Sequence, residues 1–450
     1  MKHNIPHNLA VLAQACPTPL YVVGGAVRDF LAKLTKNGNT DWDICSPLSA
    51  EEFIPIAKSN GFTVCSVFKN TGTVKIKDNE GTDYEYSCFR SDKYVRGTHR
   101  PVAVYFTDDI LLDTTRRDFT CNAVYYDIAK DEFVDPLNGI PAIQEKRLTT
   151  VAPAEKVFGE DGLRLMRLAR QVACLGFSPD KNCLQGAKRN ASLIIDVSPE
   201  RIFTELKDIL QADQKYGVRY GQYYGLKTLD EIGVLEQILP ELTLGKGMQQ
   251  RADFHNHDVL EHSLRAVKYA DIRIRFSALL HDVGKPFCEI RDGSSKSHPI
   301  EGARLTKEIL TRLRAPQKLI EETATLVELH MYDLDGKTGE NKLRRFLVRH
   351  YDVLEKLLLV KQADYSGCKD DLSTAPTVLR WTKLLDDMRK ENVPFTLKGL
   401  AVTGKDLLNV GIPAPTLSKI LRQLLEHTAV RPMDNTKITL TKIALGYANV

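Results

Sequence analysis

The sequence predicts an α+β protein with its strands confined to an N-terminal head and a long all-helical remainder behind it. Three observations carry this. Short segments between residues 20 and 106 alternate in hydrophobicity with the period of half-buried strands. From Ala154 the period turns helical, and strand-like segments become scarce. The length, 450 residues, exceeds what one hydrophobic core supports, so three or four domains are expected. The divisions drawn from the motifs below are a head over 1–148, a helical neck and body over 149–250, a histidine-rich domain over 251–370 and a helical tail over 371–450.

Composition narrows the class. With 43% hydrophobic and 27% charged residues the chain is an ordinary globular one. No stretch approaches the roughly 18 to 20 consecutive apolar residues of a spanning helix. The N-terminus lacks a long apolar segment with a small-residue cleavage site, so neither membrane insertion nor a signal peptide is expected. Nine scattered cysteines with no CxxC pair point to reduced thiols in a cytoplasmic protein. A net charge of +4 leaves any nucleic-acid partner to local basic stretches. The oligomeric state is not written in the sequence.

The first element is the strand LYVV (20–23), followed by the helix AVRDFLAKL (26–34). Between them Gly24 and Gly25 let the backbone approach a phosphate closely. The turn is not GxGxxG and no GK[ST] follows, so dinucleotide-fold and P-loop readings are poor. Alone, the stretch reads equally as a tight turn with a surface arginine. Asp-Trp-Asp at 41–43 shifts that balance. On a strand, residues i and i+2 share a face, so Asp41 and Asp43 present neighbouring carboxylates. Two such charges are costly without a cation between them, and few oxygen ligands suit Mg²⁺. The strands TVKIK (73–77), DYEYSCF (83–89) and VAVYF (102–106) follow. Glu85, on the second of these, is either an exposed strand residue or the third carboxylate of a two-metal site for in-line attack on phosphorus.

At this point a resemblance becomes specific. GGAVRD followed by DWD resembles the nucleotidyltransferase signature of the DNA polymerase β superfamily, in the branch of class II (CCA-adding) tRNA nucleotidyltransferases and bacterial poly(A) polymerases. DTTRRDFTCNAVYYD (113–127) is similar to that family's RRDFTxNA motif, DPLNGI (135–140) to its Asp-x-x-x-Gly turn, and FGEDGLRLMRLAR (158–170) to its EDxxR motif. The resemblance implies a polymerase-β-like head with a mixed sheet. It also implies template-independent addition of C, C and A to the tRNA 3' end from CTP and ATP. Asp41, Asp43 and Glu85 would hold two Mg²⁺ ions, one readying the 3'-hydroxyl for attack on the α-phosphate and one steadying pyrophosphate. Gly24, Gly25, Arg28 and Asp29 would contact the nucleotide. Arg116 and Arg117 offer fork donors for triphosphate oxygens, and Asp118 and Asn122 suit ribose hydroxyls, with surface ion pairing as the rival reading.

EDGLRLMRLAR can also be read chemically. As one helix it makes Asp161 and Arg164 neighbours, with Arg167 and Arg170 further round, toward the triphosphate or a packing partner. A carboxylate accepts hydrogen bonds and a guanidinium donates them. Cytosine and adenine each show an NH₂ donor beside a ring-nitrogen acceptor, whereas guanine and uracil present the reverse. The family implication is that Asp161 and Arg164 serve as an amino-acid template for CTP and ATP. FRSDKYVRGTHRPVAVYF (89–106) resembles the flexible loop of CCA- and A-adding members, which CC-adding members lack. An A-adding or poly(A) polymerase shares these head motifs and is the alternative.

Eight of the eleven histidines lie from residue 255 onward. HNHDVLEHSLRAV, SALLHDVGKP (277–286), KSHPIEGARL (296–305), LVELHMYDLD (326–335) and KQADYSG (361–367) together resemble the HD phosphohydrolase superfamily. That resemblance places His262, His281, Asp282 and Asp364 around a divalent metal, with His298 and His330 as further ligands or phosphate contacts. Imidazole with carboxylate fits a transition metal better than Mg²⁺. The domain is then either a scaffold or a phosphohydrolase acting on RNA ends. The tail segment 397–427 is similar to the tail helices of HD-containing members, although GIPAPT, with Ala414, departs from their Gly-rich turn. Lys398 and Lys405 are candidate phosphate contacts or simply solvated. The helical part would clasp tRNA by shape and backbone charge.

Overall fold

A computed structural model describes residues 1, 4–35, 40–94, 102–250 and 256–448. The chain divides into two compact units, Met1–Thr243 with Arg312–Arg314 and Leu244–Thr311 with Ala315–Val450.

The first unit is built on a mixed sheet. Its strands are β1 (Tyr21–Val23), β2 (Trp42–Ser46), β3 (Thr63–Phe68), β4 (Thr73–Lys77) and β5 (Asp83–Cys88), then β8 (Tyr125–Asp127) and β9 (Glu132–Val134). Between these, β6 (Arg90–Lys93) and β7 (Ala103–Phe106) form a separate two-stranded ribbon. The sheet order is β3-β4-β5-β2-β1-β8-β9, with β2 and β5 parallel and the other neighbours antiparallel. The expected strands at 20–23, 73–77, 83–89 and 102–106 correspond to β1, β4, β5 and β7. Within the seven-stranded sheet three strands escaped the alternation pattern: β3 is an exposed edge strand with a register shift between Val64 and Ser66, and β8 and β9 have only three residues each.

Alternation across β2 sorts the two faces. Trp42 and Ile44 point with Val22, Tyr84 and Tyr86 into the core, where Phe53 of the Ala50–Ser59 helix stacks on Tyr86 at 3.6 Å between centroids. Asp43 and Cys45 take the opposite face with Val23 and Tyr125, and Val23, Cys45, Phe89 and Tyr125 form a buried cluster beneath the site. One face of the sheet therefore carries the stacked aromatic core, and the other carries a smaller buried cluster beside Asp43.

Behind the sheet, the helix Leu163–Leu175 buries most of its length. It packs on Pro199–Leu210 and Gly221–Glu231, and Gly225 permits this: a Cβ there would stand 2.7 Å from Ile209 Cγ2 and 2.8 Å from the Ala173 Cβ. The single helix expected over EDGLRLMRLAR is broken. One helix ends at Glu160 and the next begins at Leu163, with Asp161 extended at φ −143°, ψ 106°. The break is at Asp161, since Gly162 is itself helical at φ −59°, ψ −25°. Glycine is needed at 162 for space: a Cβ there would stand 2.5 Å from the Leu193 carbonyl oxygen.

The second unit contains only helices among its described residues. Val259–Tyr269, Arg275–Leu280, His298–Arg312, Gln317–Leu329 and Tyr351–Lys369 carry the histidine-rich motifs. Pro376–Lys390, Gly404–Asn409, Ala414–Val430 and Lys437–Ala448 follow as the tail.

Candidate active site and metal centre

The turn after β1 sets the first site. Gly24 has φ +78°, a conformation that favours glycine, and a Cβ on it would stand 3.0 Å from Asp43 Oδ2. Val23 on β1 pairs with Asp43 on β2, and Asp43 is in register with Glu85 on the parallel β5. Asp41 immediately precedes β2 and lies two residues from Asp43. These residues line or border a cavity of about 340 Å³ whose wall includes Gly24, Gly25, Arg28, Asp29, Asp41 and Asp43. The same wall takes in Arg116, Arg117, Asp118, Asn122, Asp161, Arg164, Arg167 and Arg170. One cavity thus gathers residues from four separated motifs.

Glu85 is held differently. It stands beside Asp43 in register but outside the cavity wall, its side chain 49% exposed and ion-paired with Lys75 at 3.4 Å. Among the described residues, the groups of three or more donor atoms within 4.8 Å of one another all belong to the second unit. The head carboxylates are therefore aligned but not converged. Burial pushes the Asp43 carboxyl up to about 6; Arg117 opposes this, while Glu85 and Asp41 add to it. A carboxylate crowded in this way is a fit for a cation, which must first displace the proton. Affinity for a divalent cation is accordingly expected to be flat above pH 6 and to fall about tenfold per unit below it. Titrating divalent-cation binding to the chain between pH 5 and 7 checks this; an affinity that is independent of pH would contradict it.

The cationic residues are locked by partners. Arg28 is buried, giving Nε and Nη2 to Asp29, Nη1 to Asn122 Oδ1 at 2.7 Å, and Nη2 to the Tyr216 hydroxyl at 3.1 Å. Tyr216 donates to Asp29 Oδ2 at 2.7 Å, so a residue that sequence reasoning missed is tied to the Gly25–Leu31 helix. Its only signal was position, since it belongs to none of the quoted motifs. Asp113 collects Arg116 Nε at 2.7 Å, Arg117 Nη2 at 3.0 Å and the Tyr125 hydroxyl at 2.7 Å. Although burial works against it, Arg117 and Arg116 hold its carboxyl down at about 2. Asp113 was quoted in the motif without a role; here it aims the two arginines. Asp118 accepts from Phe119 N, Asn122 and Arg167, with the Arg167 Nη2 at 2.7 Å. Arg170 turns away to Glu205 at 2.7 Å on the Pro199–Leu210 helix.

The expected helical pairing of Asp161 with Arg164 is corrected by the break at Asp161. Asp161 caps the second helix, accepting from Leu163 N at 2.9 Å. Arg164 donates to Val157 O at 2.9 Å, Glu160 at 3.1 Å and Arg116 O at 2.7 Å, and its guanidinium lies 5.6 Å from the Tyr94 ring. The two side chains still line one cavity, but each is positioned independently of the other. Tyr94, Arg90 and Asp92 from the β6–β7 ribbon join the same wall. The rest of the expected flexible loop, residues 95–101, lies outside the described residues.

The second unit assembles all six expected ligands. His281 Nδ1 donates to Ala278 O at 2.8 Å, His298 Nδ1 to Ser295 O at 2.7 Å and His330 Nδ1 to Val327 O at 2.6 Å. A carbonyl can only accept, so each ring donates from Nδ1 and turns Nε2 inward. His262 Nε2 lies 3.0 Å from His281 Nε2, 3.4 Å from Asp282 Oδ2 and 3.1 Å from Asp364 Oδ1. Four donors about 2.1 Å from one ion would stand about 3.4 Å apart in a tetrahedron. On the other side of Asp282, Oδ1 lies 3.3 Å from His298 Nε2 and 3.7 Å from His330 Nε2, and this oxygen has no hydrogen-bond donor. Converging imidazole nitrogens and carboxylate oxygens are a fit for cations. Asp282 thus faces two donor groups with its two oxygens, and Lys285 braces it at 2.7 Å.

Comparison with known proteins identifies the modules that carry these two residue sets. Residues 20–149 match the poly A polymerase head domain family, residues 176–244 the probable RNA and SrmB-binding site of polymerase A, and residues 259–366 the HD domain. An A-adding tRNA nucleotidyltransferase of Deinococcus radiodurans is 29% identical over 92% of both chains. A multifunctional CCA protein of Xanthomonas campestris is 28% identical over 77% of this chain and 85% of its own. The crystal structure of the Bacillus stearothermophilus CCA-adding enzyme in complex with CTP shares the fold, with a TM-score of 0.68 at 22% identity, covering 99% of this chain and 98% of that one. With head, RNA-binding and HD modules in this order, the chain belongs to the family of class II tRNA nucleotidyltransferases and bacterial poly(A) polymerases that carry an HD domain.

Proposed function

We infer that the chain is a template-independent tRNA nucleotidyltransferase that adds C, C and A to the tRNA 3' end from CTP and ATP. The observation that carries it is the cavity in which Asp41 and Asp43 meet Arg116, Arg117, Asp161 and Arg164. Asp41 and Asp43 would hold Mg²⁺, with Glu85 released from Lys75 as the third carboxylate. When bound, the ions supply positive charge at the attacking and leaving oxygens of the phosphoryl transfer. Gly24 and Gly25 admit the triphosphate close to the backbone, and Arg28, Arg116 and Arg117 offer it fixed charge. Asp118 and Asn122, immobilised by Arg167 and Arg28, take the ribose hydroxyls. Asp161 accepts from the exocyclic amine of cytosine or adenine while Arg164 donates to the ring nitrogen. Such chemistry belongs to the cytoplasm, where tRNA, CTP and ATP meet. Among the described residues no helix is long and apolar enough to cross a membrane.

The name of the Deinococcus radiodurans relative favours one rival, an enzyme that adds A alone. The test is stepwise addition on tRNAs ending in the discriminator base, C or CC, with CTP and ATP supplied separately and together. CTP is expected to enter twice and ATP once, in that order. Failure of CTP to enter, with ATP accepted on the CC end, would assign the A-adding activity instead.

A second activity is favoured by the Asp282 geometry: a metal-dependent phosphohydrolase in the HD domain, in which His262, His281, Asp282 and Asp364, together with His298 and His330, would hold divalent transition-metal ions that supply Lewis acidity and an activated water. After loading with Mn²⁺ or Co²⁺, elemental analysis is expected to give two ions per chain, falling to one or none in Asp282→Ala. An unsubstituted chain that retains no ion would remove this reading.

A further inference from the structure

We propose that Cys368 supplies a sulfur donor to the half-centre built by His262 and Asp364, and that this thiolate biases it toward a thiophilic divalent ion such as Zn²⁺ or Co²⁺ over Mg²⁺ or Mn²⁺. The proposal rests on the reading of the HD cluster as a metal centre. It concerns a residue that lies outside the six ligands expected from the sequence.

The placement follows from the helices. Cys368 comes four residues after Asp364 on Tyr351–Lys369, so the two side chains are neighbours on one helix face. His262 is on Val259–Tyr269, which packs closely against that helix. The close approach depends on Gly367, where a Cβ would stand 2.8 Å from Ala266 N and 3.1 Å from Ala266 Cα. As a result, a ring nitrogen of His262, a carboxylate oxygen of Asp364 and the Cys368 sulfur lie within 4.8 Å of one another. Among the described residues, Cys368 is the one cysteine that joins such a group of donors.

The geometry of the same half-centre points to a cation. His262 Nε2, His281 Nε2, Asp282 Oδ2 and Asp364 Oδ1 gather there: His262 Nε2 lies 3.0 Å from His281 Nε2, 3.4 Å from Asp282 Oδ2 and 3.1 Å from Asp364 Oδ1, and His281 Nε2 lies 3.3 and 3.6 Å from the same two oxygens. The His281 ring is fixed with Nε2 inward by the Ala278 carbonyl behind it. Into this nitrogen and oxygen shell Cys368 brings the soft ligand, and thiolates select for Zn²⁺ and against Mg²⁺ or Mn²⁺. It is half-buried, so an ion or a reagent reaches it from solvent. When the metal–sulfur bond forms, the thiol proton leaves to solvent, and neither sulfur nor metal changes oxidation state.

The test uses the full chain, stripped of metal and reloaded with Co²⁺. A near-ultraviolet sulfur-to-cobalt charge-transfer band is expected beside the visible ligand-field bands. In Cys368→Ser the charge-transfer band is expected to vanish while the visible bands remain, and the Zn²⁺ dissociation constant is expected to rise about tenfold or more. Visible bands without the charge-transfer band in the unsubstituted chain would overturn the sulfur donor and leave the HD centre standing. No cobalt bands of either kind would overturn both. A charge-transfer band that survives in Cys368→Ser would assign it to another cysteine and overturn the proposal. A second measurement needs no substitution: Co²⁺ is expected to protect Cys368 from alkylation, and chelation to restore its labelling, read by peptide mapping. Equal labelling in both states would overturn the proposal.

Discussion

Asp43→Ala is expected to abolish addition of both CMP and AMP while the chain stays folded. The side chain removed is in register with Val23 and Glu85, and close enough to Gly24 that a Cβ there would stand 3.0 Å from it. A metal clamp contributes several kcal/mol of transition-state stabilisation. Losing about 4 kcal/mol would slow the reaction roughly a thousandfold. Stability should not follow the same course. Burial and the neighbouring Asp41 and Glu85 all work against an ionised Asp43, so deleting it relieves an unfavourable charge rather than breaking a supporting one. Single-turnover CTP and ATP addition, with a thermal melt as control, separates the two quantities. Residual addition within about tenfold of the parent enzyme would remove Asp43 from the metal site.

The second large effect is on base selection, and the broken helix makes its two residues distinguishable. Asp161→Ala is expected to cost about 1 kcal/mol of stability by uncapping Leu163 N. It is also expected to raise UTP incorporation relative to CTP by roughly ten- to two-hundredfold, the range set by one lost polar discrimination. Arg164→Ala should relax selection as well, but with a larger structural penalty. Val157 O, Glu160 and Arg116 O all rely on its guanidinium, which is 4% exposed. Leaving such partners unsatisfied costs about 3 kcal/mol or more. The melting temperature should therefore fall in Arg164→Ala well beyond the shift in Asp161→Ala. Unchanged rejection of UTP by Asp161→Ala would refute the amino-acid template.

The two sites were legible in the sequence to different depths. In the head, Gly24, Gly25, Asp41 and Asp43 could be read because their signals are local: a strand ending in two glycines, and a pair of carboxylates with the strand's period. Glu85 was legible as a candidate, and its register beside Asp43 agrees, but its ion pair with Lys75 comes from an antiparallel neighbour, β4, that local period does not encode. Tyr216 and Asp113 carried no role in the sequence. Their importance comes from contacts 187 residues away to Asp29 in one case, and from gathering two arginines and a tyrosine in the other. In the HD domain the six candidate ligands came from the resemblance of the histidine-rich motifs to the HD superfamily, and the structure gathers them in one place. That Asp282 divides its two oxygens between two donor groups was not legible in the sequence, since the groups join five helices.

By itself the sequence determined which chemistries this protein carries: paired carboxylates behind a glycine turn, arginines ahead of a hydrogen-bonding carboxylate, and an imidazole–carboxylate set in a helical domain. These are residue types at short spacings, and short spacings are what helix and strand periods transmit. Only the tertiary structure decided who holds whom. Asp161 and Arg164 are three residues apart, yet Asp161 is extended between two helices and accepts from Leu163 N, while Arg164 takes Glu160 and Arg116 O. Cys368 likewise reads as one of nine scattered thiols until Gly367 lets two helices close and brings it beside His262. In both places the partners are set by packing against segments that helix and strand periods do not encode, and at Gly367 the deciding quantity is the closeness of two backbones.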